Sequence, residues 1–237
     1  MNTIEHHHEP IAETDDNPGL IREDAPDDLE QNSSQRAFRS LFHVAWLSIV
    51  LGVLLEIVLV VIAGVAPSFG DSKPVIVDLA QKVTWSFFVC MGLAVATIVT
   101  KARMISMGAA GFLAAPLSFY IARAVHKALS QALNITNSSG LVGASPILLA
   151  TCKGVEYGFL GAALGWLATR PRSGMLHYVG IGIFTGLTFG SAIVGIMASA
   201  MAQPPVGIAL YTRLANELLF PIGCALVIFT ADMLAKK

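Results

Sequence analysis

Charged side chains are scarce in this sequence. Only 13% of its 237 residues are Asp, Glu, Lys or Arg, whereas soluble domains carry about 25%. Apolar residues make up 54% of the chain, and the mean hydropathy is +0.67. Too few charges remain to cover the surface of a water-soluble domain of this length. The composition therefore predicts an integral membrane protein.

Motifs that carry well-known chemistry are also missing. The chain contains no GxxxxGK[ST] phosphate loop, no HExxH zinc motif and no GxSxG nucleophile elbow. Its three cysteines (Cys90, Cys152 and Cys224) lie in apolar runs without CxxC spacing, which indicates packing rather than disulfides or metal binding. The histidine run 6–8 stands in a polar tail and is weak support for a metal site. We therefore predict no catalytic residues, metal, cofactor or nucleic-acid partner.

Acidic residues are concentrated at the N-terminus. Residues 1–35 hold ten Asp or Glu against a single base, Arg22, while the remainder holds fourteen Lys or Arg against six acids. The segment lacks apolar periodicity, so it cannot bury enough surface to offset the entropy of ordering. We predict that residues 1–40 form a disordered acidic cytoplasmic tail and that residues 41–237 form the membrane domain. An acidic start also argues against a cleavable signal peptide.

Six apolar runs follow the tail, each long enough to cross about 30 Å of hydrocarbon as a helix. Because every backbone polar group in lipid must be hydrogen-bonded within the protein, such runs are expected to be helical. The sequence predicts an all-α integral membrane protein. Its six transmembrane helices are placed at Leu41–Val65, Val83–Thr100, Met104–Val125, Ile147–Ala168, Met175–Met201 and Leu214–Ala235.

The basic residues predict the orientation of these helices, because basic loops stay in the cytoplasm. With the N-terminus inside, eight bases fall on the inner side, crowded into short loops, and five fall on the outer side. The inner bases are Arg36, Arg39, Lys101, Arg103, Arg170, Arg172, Lys236 and Lys237, and the outer ones are Lys73, Lys82, Arg123, Lys127 and Arg213. We predict both termini in the cytoplasm and a bacterial inner (plasma) membrane as the location.

Two predicted hairpins resemble each other. Residues 92–111 align with residues 161–182 when Ser173 and Gly174 are treated as an insertion, and six of twenty positions are identical. Each hairpin turns at a T-[KR]-x-R sequence, which makes helices 2–3 and 4–5 a candidate duplication. Apolar helices joined by basic inner turns also look alike without a common origin. Both interpretations stay open.

Glycines four residues apart mark predicted helices 4 and 5. They occur at Gly154 and Gly158, at Gly161 and Gly165, and at Gly182, Gly186 and Gly190. This spacing places each set on one helix face, where two backbones can approach closely. The pattern predicts intimate helix contacts, within the bundle or with another molecule. The partners expected besides the lipid bilayer are a second copy of the chain or another membrane protein docking on these two helices.

Three ionisable side chains fall at membrane depth, namely Glu56 in helix 1 and Lys153 and Glu156 in helix 4. Each costs about 2.5–3.5 kcal/mol on insertion, so such residues are functional candidates. Lys153 and Glu156 share a helix face, and Glu56 is predicted at similar depth. We hypothesise that Lys153 bridges both carboxylates, leaving an excess negative charge that can take up a proton or a cation. The alternative is a plain Lys153–Glu156 pair, with Glu56 elsewhere.

His177, Glu217 and Asp232 lie closer to helix ends. His177 is a candidate pH sensor or proton relay, or else a hydrogen-bonded scaffold residue. Glu217 and Asp232 are interpreted as carboxylates that reach the headgroups from opposite ends of helix 6. The candidate intramembrane polar site therefore comprises Glu56, Lys153, Glu156 and His177.

Three functions are compatible with this sequence. The first is a small-solute or ion transporter or channel, with the polar residues of helices 1 and 4 near its pathway. The second is a non-catalytic accessory or assembly subunit of a larger membrane complex. An intramembrane enzyme comes third, and the short inner loops leave little room for a cytosolic catalytic site. A polar-lined cavity reaching Glu56 and Lys153 would favour transport, and a dry bundle with a glycine-lined outer groove would favour the accessory subunit.

Overall fold

Six long helices make up the described part of the protein. A computed structural model describes residues 26–64, 73–97, 102–135, 145–201 and 203–235, and none of these residues forms a strand. The helices are α1 (Pro26–Ile62), α2 (Lys73–Thr97), α3 (Arg103–Ala132), α4 (Pro146–Ala168), α5 (Met175–Ser199) and α6 (Ile208–Ala235). Each contains a stretch long and apolar enough to cross a membrane. The chain is therefore a polytopic helical membrane protein, as its sequence predicts.

Two helices begin earlier than their apolar runs predict. α2 begins at Lys73 instead of near Val83, and α6 begins at Ile208 instead of near Leu214. Apolar runs mark only the part of a helix that faces lipid. Polar residues extend a helix at membrane depth wherever protein or water surrounds their side chains. Residues 73–82, which precede the predicted start of helix 2, are therefore helical.

The start of α1 also differs from its predicted position. The predicted tail reaches residue 40, but the helix begins at Pro26. Proline is well tolerated at the first position of a helix, and acids such as Asp27 and Asp28 favour a helix N-terminus. Residues 1–25 lie outside the described residues. The disorder of that part of the tail stays a prediction.

Neighbouring helices along the chain pack side by side from α1 to α4. α6 contacts both α5 and α1, which closes the bundle, and it also touches α2 and α4. Large buried side chains at the centre include Trp85, Leu93, Tyr157, Leu164 and Ile228. α2, α4 and α6 begin at one end of the bundle, and α3 and α5 begin at the other.

Glycines bring α3 and α4 into backbone contact. A Cβ atom added at Gly111 would fall on the carbonyl oxygen of Tyr157, and one added at Gly161 would fall on that of Met107. A Cβ atom added at Gly165 would likewise lie 2.7 Å from the carbonyl oxygen of Arg103. The predicted close helix contacts are therefore present inside the chain itself.

The glycines of α5 face α6, and the helix geometry of α5 changes locally between two of them. Added Cβ atoms would lie 2.7 Å from the Cα of Ile222 at Gly182 and 2.9 Å from the Cα of Leu218 at Gly186. Residues Gly186–Gly190 form a π-helical turn between two α-helical halves. π turns are rare insertions that occur frequently at functional sites. Sequence periodicity alone does not reveal this one.

The proposed duplication of helices 2–3 and 4–5 stays a prediction. Two arginines matched by the alignment have different surroundings in the structure. Arg103 at the start of α3 forms an ion pair with Asp232 of α6, whereas Arg172 is exposed between α4 and α5.

Asp232 is buried near the end of α6 instead of reaching the headgroups. It is only 7% exposed. Besides pairing with Arg103, it accepts a hydrogen bond of 2.9 Å from the Tyr178 hydroxyl of α5. Two donors from other helices hold the carboxylate inside the protein, so the predicted snorkelling is wrong. This cluster joins α3, α5 and α6 at the end where α3 and α5 begin.

Two cysteines give a direct test of the packing of α2 against α6. The Sγ atoms of Cys90 and Cys224 lie 3.4 Å apart, and both side chains are fully buried. A small shift brings them to disulfide distance. Molecular iodine, which enters membranes, is expected to couple them in most molecules: each thiol loses its hydrogen, and iodine is reduced to iodide. Peptide mapping by mass spectrometry should find Cys90 joined to Cys224.

Cys152 serves as the internal control for this oxidation. It lies on α4 and is partly exposed, so it should remain available to an alkylating reagent. A Cys90→Ser variant should lose the cross-link. A dominant cross-link from Cys152 to either other cysteine would contradict the helix arrangement.

Candidate functional site

The structure separates the predicted site residues into three places. Lys153 lies beside Glu156, with 2.8 Å between Nζ and Oε2. Glu56 instead pairs with Lys82 of α2. The hypothesis that Lys153 also joins Glu56 is therefore wrong. The early start of α2 explains the difference, because it places Lys82 on a helix next to α1 rather than in a loop.

The second carboxylate that contacts Lys153 is Glu217 of α6. The predicted role of Glu217 at the headgroups is wrong, because α6 begins at Ile208 rather than near Leu214. α6 extends beyond its apolar run, so Glu217 lies inside a helix that faces the protein. Lys153 thus binds one carboxylate on its own helix and one on α6.

His177 lies apart from this cluster. It is exposed near the start of α5, and its Nδ1 accepts a hydrogen bond of 3.3 Å from the backbone N–H of Gly174. Lys153 is in the first half of α4, roughly 22 Å along that helix from the end that leads into α5. His177 therefore acts as a cap on α5 at the opposite end of the bundle.

The Lys153 cluster is held in a mixed ionic and aromatic environment. Glu156 is completely buried and Lys153 is 9% exposed. The ammonium lies 5.8 Å from the ring centroids of both Trp85 and Tyr157, within the range of cation–π attraction. One positive charge faces two carboxylates, Glu156 and Glu217. The second oxygen of Glu156, Oε1, is buried without a hydrogen-bond partner among the described residues.

A cavity of about 360 Å³ ends on this cluster. Lys153 and Glu217 both line it, together with the Trp85 ring. Apolar residues of α3, α4 and α5 form the rest of its wall, including Phe119, Leu149 and Ile193. An adjoining cavity of about 230 Å³ shares the lining residues Lys82, Met197, Arg213, Asn216 and Glu217. The polar cavity reaches Lys153 directly and Glu56 only through its partner Lys82.

α2 and α6 present matching faces to this cavity with the charges reversed. α2 contributes Asp78, Gln81, Lys82 and Trp85, and α6 contributes Arg213, Asn216, Glu217 and Phe220. In both helices the order is charged, amide, charged, aromatic, and a spacing of three, four and seven residues puts them on one face. Asp78 is also close to His126 of α3, at 3.4 Å. Two polar helix faces therefore wall the cavity near the end where α2 and α6 begin.

Sequence reasoning missed four charged residues of this site, namely Asp78, Lys82, Arg213 and Glu217. All four were placed in loops or at a helix end, since Asp78, Lys82 and Arg213 lie outside the predicted helices and Glu217 lies close to the start of predicted helix 6. Their regular spacing was the available signal. Polar residues at helical intervals next to an apolar run indicate a helix that continues with one polar face.

Comparison of the chain with protein-family models, with curated proteins and with solved structures gives no significant match. The functional argument therefore depends on the geometry of the cavity. Among the residues that the structure describes, no group of three or more His, Cys, Asp or Glu side chains could hold a metal ion. What the site offers is charge, hydrogen-bonding amides and aromatic surface around a cavity.

Proposed function

We propose that this polytopic membrane protein moves a small polar solute across the membrane. The cavity between α2 and α6 is the solute site, and Lys153 and Glu217 line its inner end, with Glu156 behind them. The observation that carries the proposal is that a cavity with charged, amide and apolar lining residues reaches a largely buried ion-pair cluster.

The exposure of the cluster to the cavity supports transport over a purely structural clasp. Charged residues at membrane depth are expensive and usually face a bundle interior or a water-filled space. A clasp would be stable when sealed by packing, but Lys153 and Glu217 line an open space of about 360 Å³. The small-molecule sites of proteins begin at about 300 Å³, so this one suits a small solute.

A protein open on one side needs packed side chains at the inner end of its cavity. The aromatic rings of Trp85, Tyr157 and Phe220 pack edge-to-face there, with centroids 5.7 and 6.4 Å apart. The Lys153–Glu217 ion pair ties α4 to α6 at the same level. Passage of a solute requires this pair to open. With both termini in the cytoplasm of a bacterial inner membrane, as the basic residues predict, the cavity opens to the outside.

Proteoliposome flux with the Glu217→Gln variant tests this function. The change keeps the size of the side chain and leaves Lys153 and Glu156 as a neutral pair, so the protein should still assemble. We expect wild-type protein to carry at least one member of a panel of protons, alkali cations, amino acids and small carboxylates. Glu217→Gln should change that flux at least about tenfold, because it removes the ion pair that must open for passage, and an interaction with a charged group is worth ~1.5–3 kcal/mol.

His177→Gln is the matched control for the flux assay. His177 is exposed at the far end of the bundle, so this variant should transport at the wild-type rate. Flux no faster than in protein-free liposomes for every member of the panel would refute the proposal. Equal flux in wild type and Glu217→Gln would show that the Lys153 cluster is not part of the transport pathway.

The accessory-subunit alternative has less support. It depends on glycine-lined faces of α4 and α5 that are free to dock. The glycines that define those faces contact α3 and α6 of the same chain, at Gly158 and Gly161 on α4 and at Gly182 and Gly186 on α5. Another membrane protein would need a different surface.

A further inference from the structure

Arg213 differs from the other charged residues that line the larger cavity. Lys82 pairs with Glu56, Lys153 pairs with Glu156 and Glu217, and Asp78 lies beside His126. Within the described ranges, the Nη1 atom of Arg213 is buried and donates to no acceptor, and no ion pair joins this guanidinium to a carboxylate. The same side chain lines both cavities.

An unpaired guanidinium in this position calls for an anion. Arg213 as a whole is only half-buried, but its buried Nη1 donor has lost hydration without gaining an acceptor, which costs free energy. Arginine also presents a planar fork of donors whose geometry matches the two oxygens of a carboxylate. An anionic group bound in the cavity would supply the missing acceptor. Of the two carboxylates that line the cavity, Glu217 pairs with Lys153 and Asp78 lies beside His126.

We infer that the cavity binds a small organic carboxylate whose anionic group pairs with Arg213. The inference rests on the proposed function and names the class of solute. The amides of Gln81 and Asn216 lie on the same two helix faces and offer further hydrogen bonds. The apolar body of the solute contacts the Trp85 and Phe220 rings, whose centroids are 6.4 Å apart.

A single negative charge fits this site better than a doubly charged phosphate. Glu217 lies four residues after Arg213, and it lines both cavities with it. Positions four residues apart are neighbours on a helix surface. A second negative charge on the solute would therefore face a carboxylate. The lysines that could offset it, Lys82 and Lys153, are held by their own acidic partners.

Tryptophan fluorescence of the purified full-length chain tests this inference independently of transport. The protein has three tryptophans, and Trp46 and Trp166 are well exposed, whereas Trp85 lines the cavity. Replacing Trp46 and Trp166 with phenylalanine leaves Trp85 as the reporter. The probes are butyrate and phenylacetate, with phenylacetamide as the uncharged analogue and phenethylamine as the cationic one. The titrations are made in a neutral detergent without anionic lipid.

We expect butyrate or phenylacetate to change the Trp85 emission saturably. Phenylacetamide and phenethylamine should bind at least about tenfold more weakly, and Arg213→Gln should weaken carboxylate binding by a similar factor, as expected for the loss of a charge-assisted hydrogen bond. Arg213→Lys should keep part of the affinity because it keeps the charge. Arg170→Gln is the control, because Arg170 is exposed between α4 and α5 and does not line the cavity.

Three results with the soluble probes would overturn the inference. They are no saturable response to either carboxylate, equal binding of phenylacetate and phenylacetamide, or unchanged binding in both Arg213 variants. A response to nanodiscs of phosphatidylglycerol in place of the soluble carboxylates would assign Arg213 to a lipid headgroup and also refute it. If the carboxylate binds through Arg213 but is not moved in liposomes, the proposed function fails and this inference stands. If another solute is moved and no carboxylate binds, the proposed function stands and this inference fails.

Discussion

Replacing Lys153 with methionine is expected to destabilise the folded protein by about 3–5 kcal/mol, the usual cost of removing one partner from a buried ion pair. Lys153 is the only cation in contact with Glu156 and Glu217 among the described residues. Without it, two carboxylates remain side by side in a largely buried site, and Glu156 is completely buried. Thermal unfolding in detergent, followed by size-exclusion chromatography, measures the loss.

Removing the charges together should restore most of the lost stability. In the triple variant Lys153→Met, Glu156→Gln, Glu217→Gln, no charge is left unpaired in the cluster. Buried ion pairs replaced by uncharged residues of similar size are often neutral or stabilising. The control is Lys127→Met, because Lys127 is exposed on α3. If Lys153→Met unfolds at the wild-type temperature, the cluster does not hold α4 against α6 in the way described.

Adding one methyl group to Gly161 or Gly111 is expected to separate α3 from α4. In Gly161→Ala the new Cβ would meet the carbonyl oxygen of Met107, and in Gly111→Ala that of Tyr157, both closer than the 3.0 Å that real Cβ atoms respect. The obstacle is backbone, which cannot rotate away as a side chain can. Overpacking of a tight core costs about 1–3 kcal/mol, occasionally more. We expect each variant to lower the unfolding temperature, and the pair to prevent stable assembly.

Gly180→Ala and Gly195→Ala are matched controls on α5. Added Cβ atoms at these positions meet nothing within 4 Å. Alanine has the better helix propensity, so both changes should leave stability unchanged or raise it by about 0.5–1 kcal/mol. Equal losses at Gly161 and Gly195 would show that the α3–α4 contact is looser than the structure indicates.

The membrane architecture was predictable because a bilayer sets a strict length and polarity requirement on each helix. The six apolar runs give six spans, and the glycines four residues apart give close backbone contacts. The local pair of Lys153 and Glu156 also follows from helical spacing. These features depend only on residues near one another in sequence, or on lipid as the solvent.

The partners across helices could not be read from the sequence. Lys153 was paired with Glu56 because the two residues are predicted at similar depth in the membrane. Depth does not indicate which helices are neighbours. The choice between Glu56 and Glu217 depends on α6 lying beside α4, and on α2 carrying Lys82 to α1. Both conditions arise from helix packing and from helix starts that lie outside the apolar runs. The unpaired state of Arg213 is likewise a property of the whole bundle.

The π-helical turn at Gly186–Gly190 determines which residues of α5 close the cavity. A π turn accommodates one residue more than the α-helix that continues on either side, and each residue of an α-helix turns the chain by about 100°. Without the extra residue, the second half of α5 would be rotated by that angle relative to the first. Gly182 would still contact α6, but Ile193 and Met197 would no longer line the cavity. The extra residue allows the first half of α5 to pack on α6 while its second half faces the cavity, which lies in a different direction.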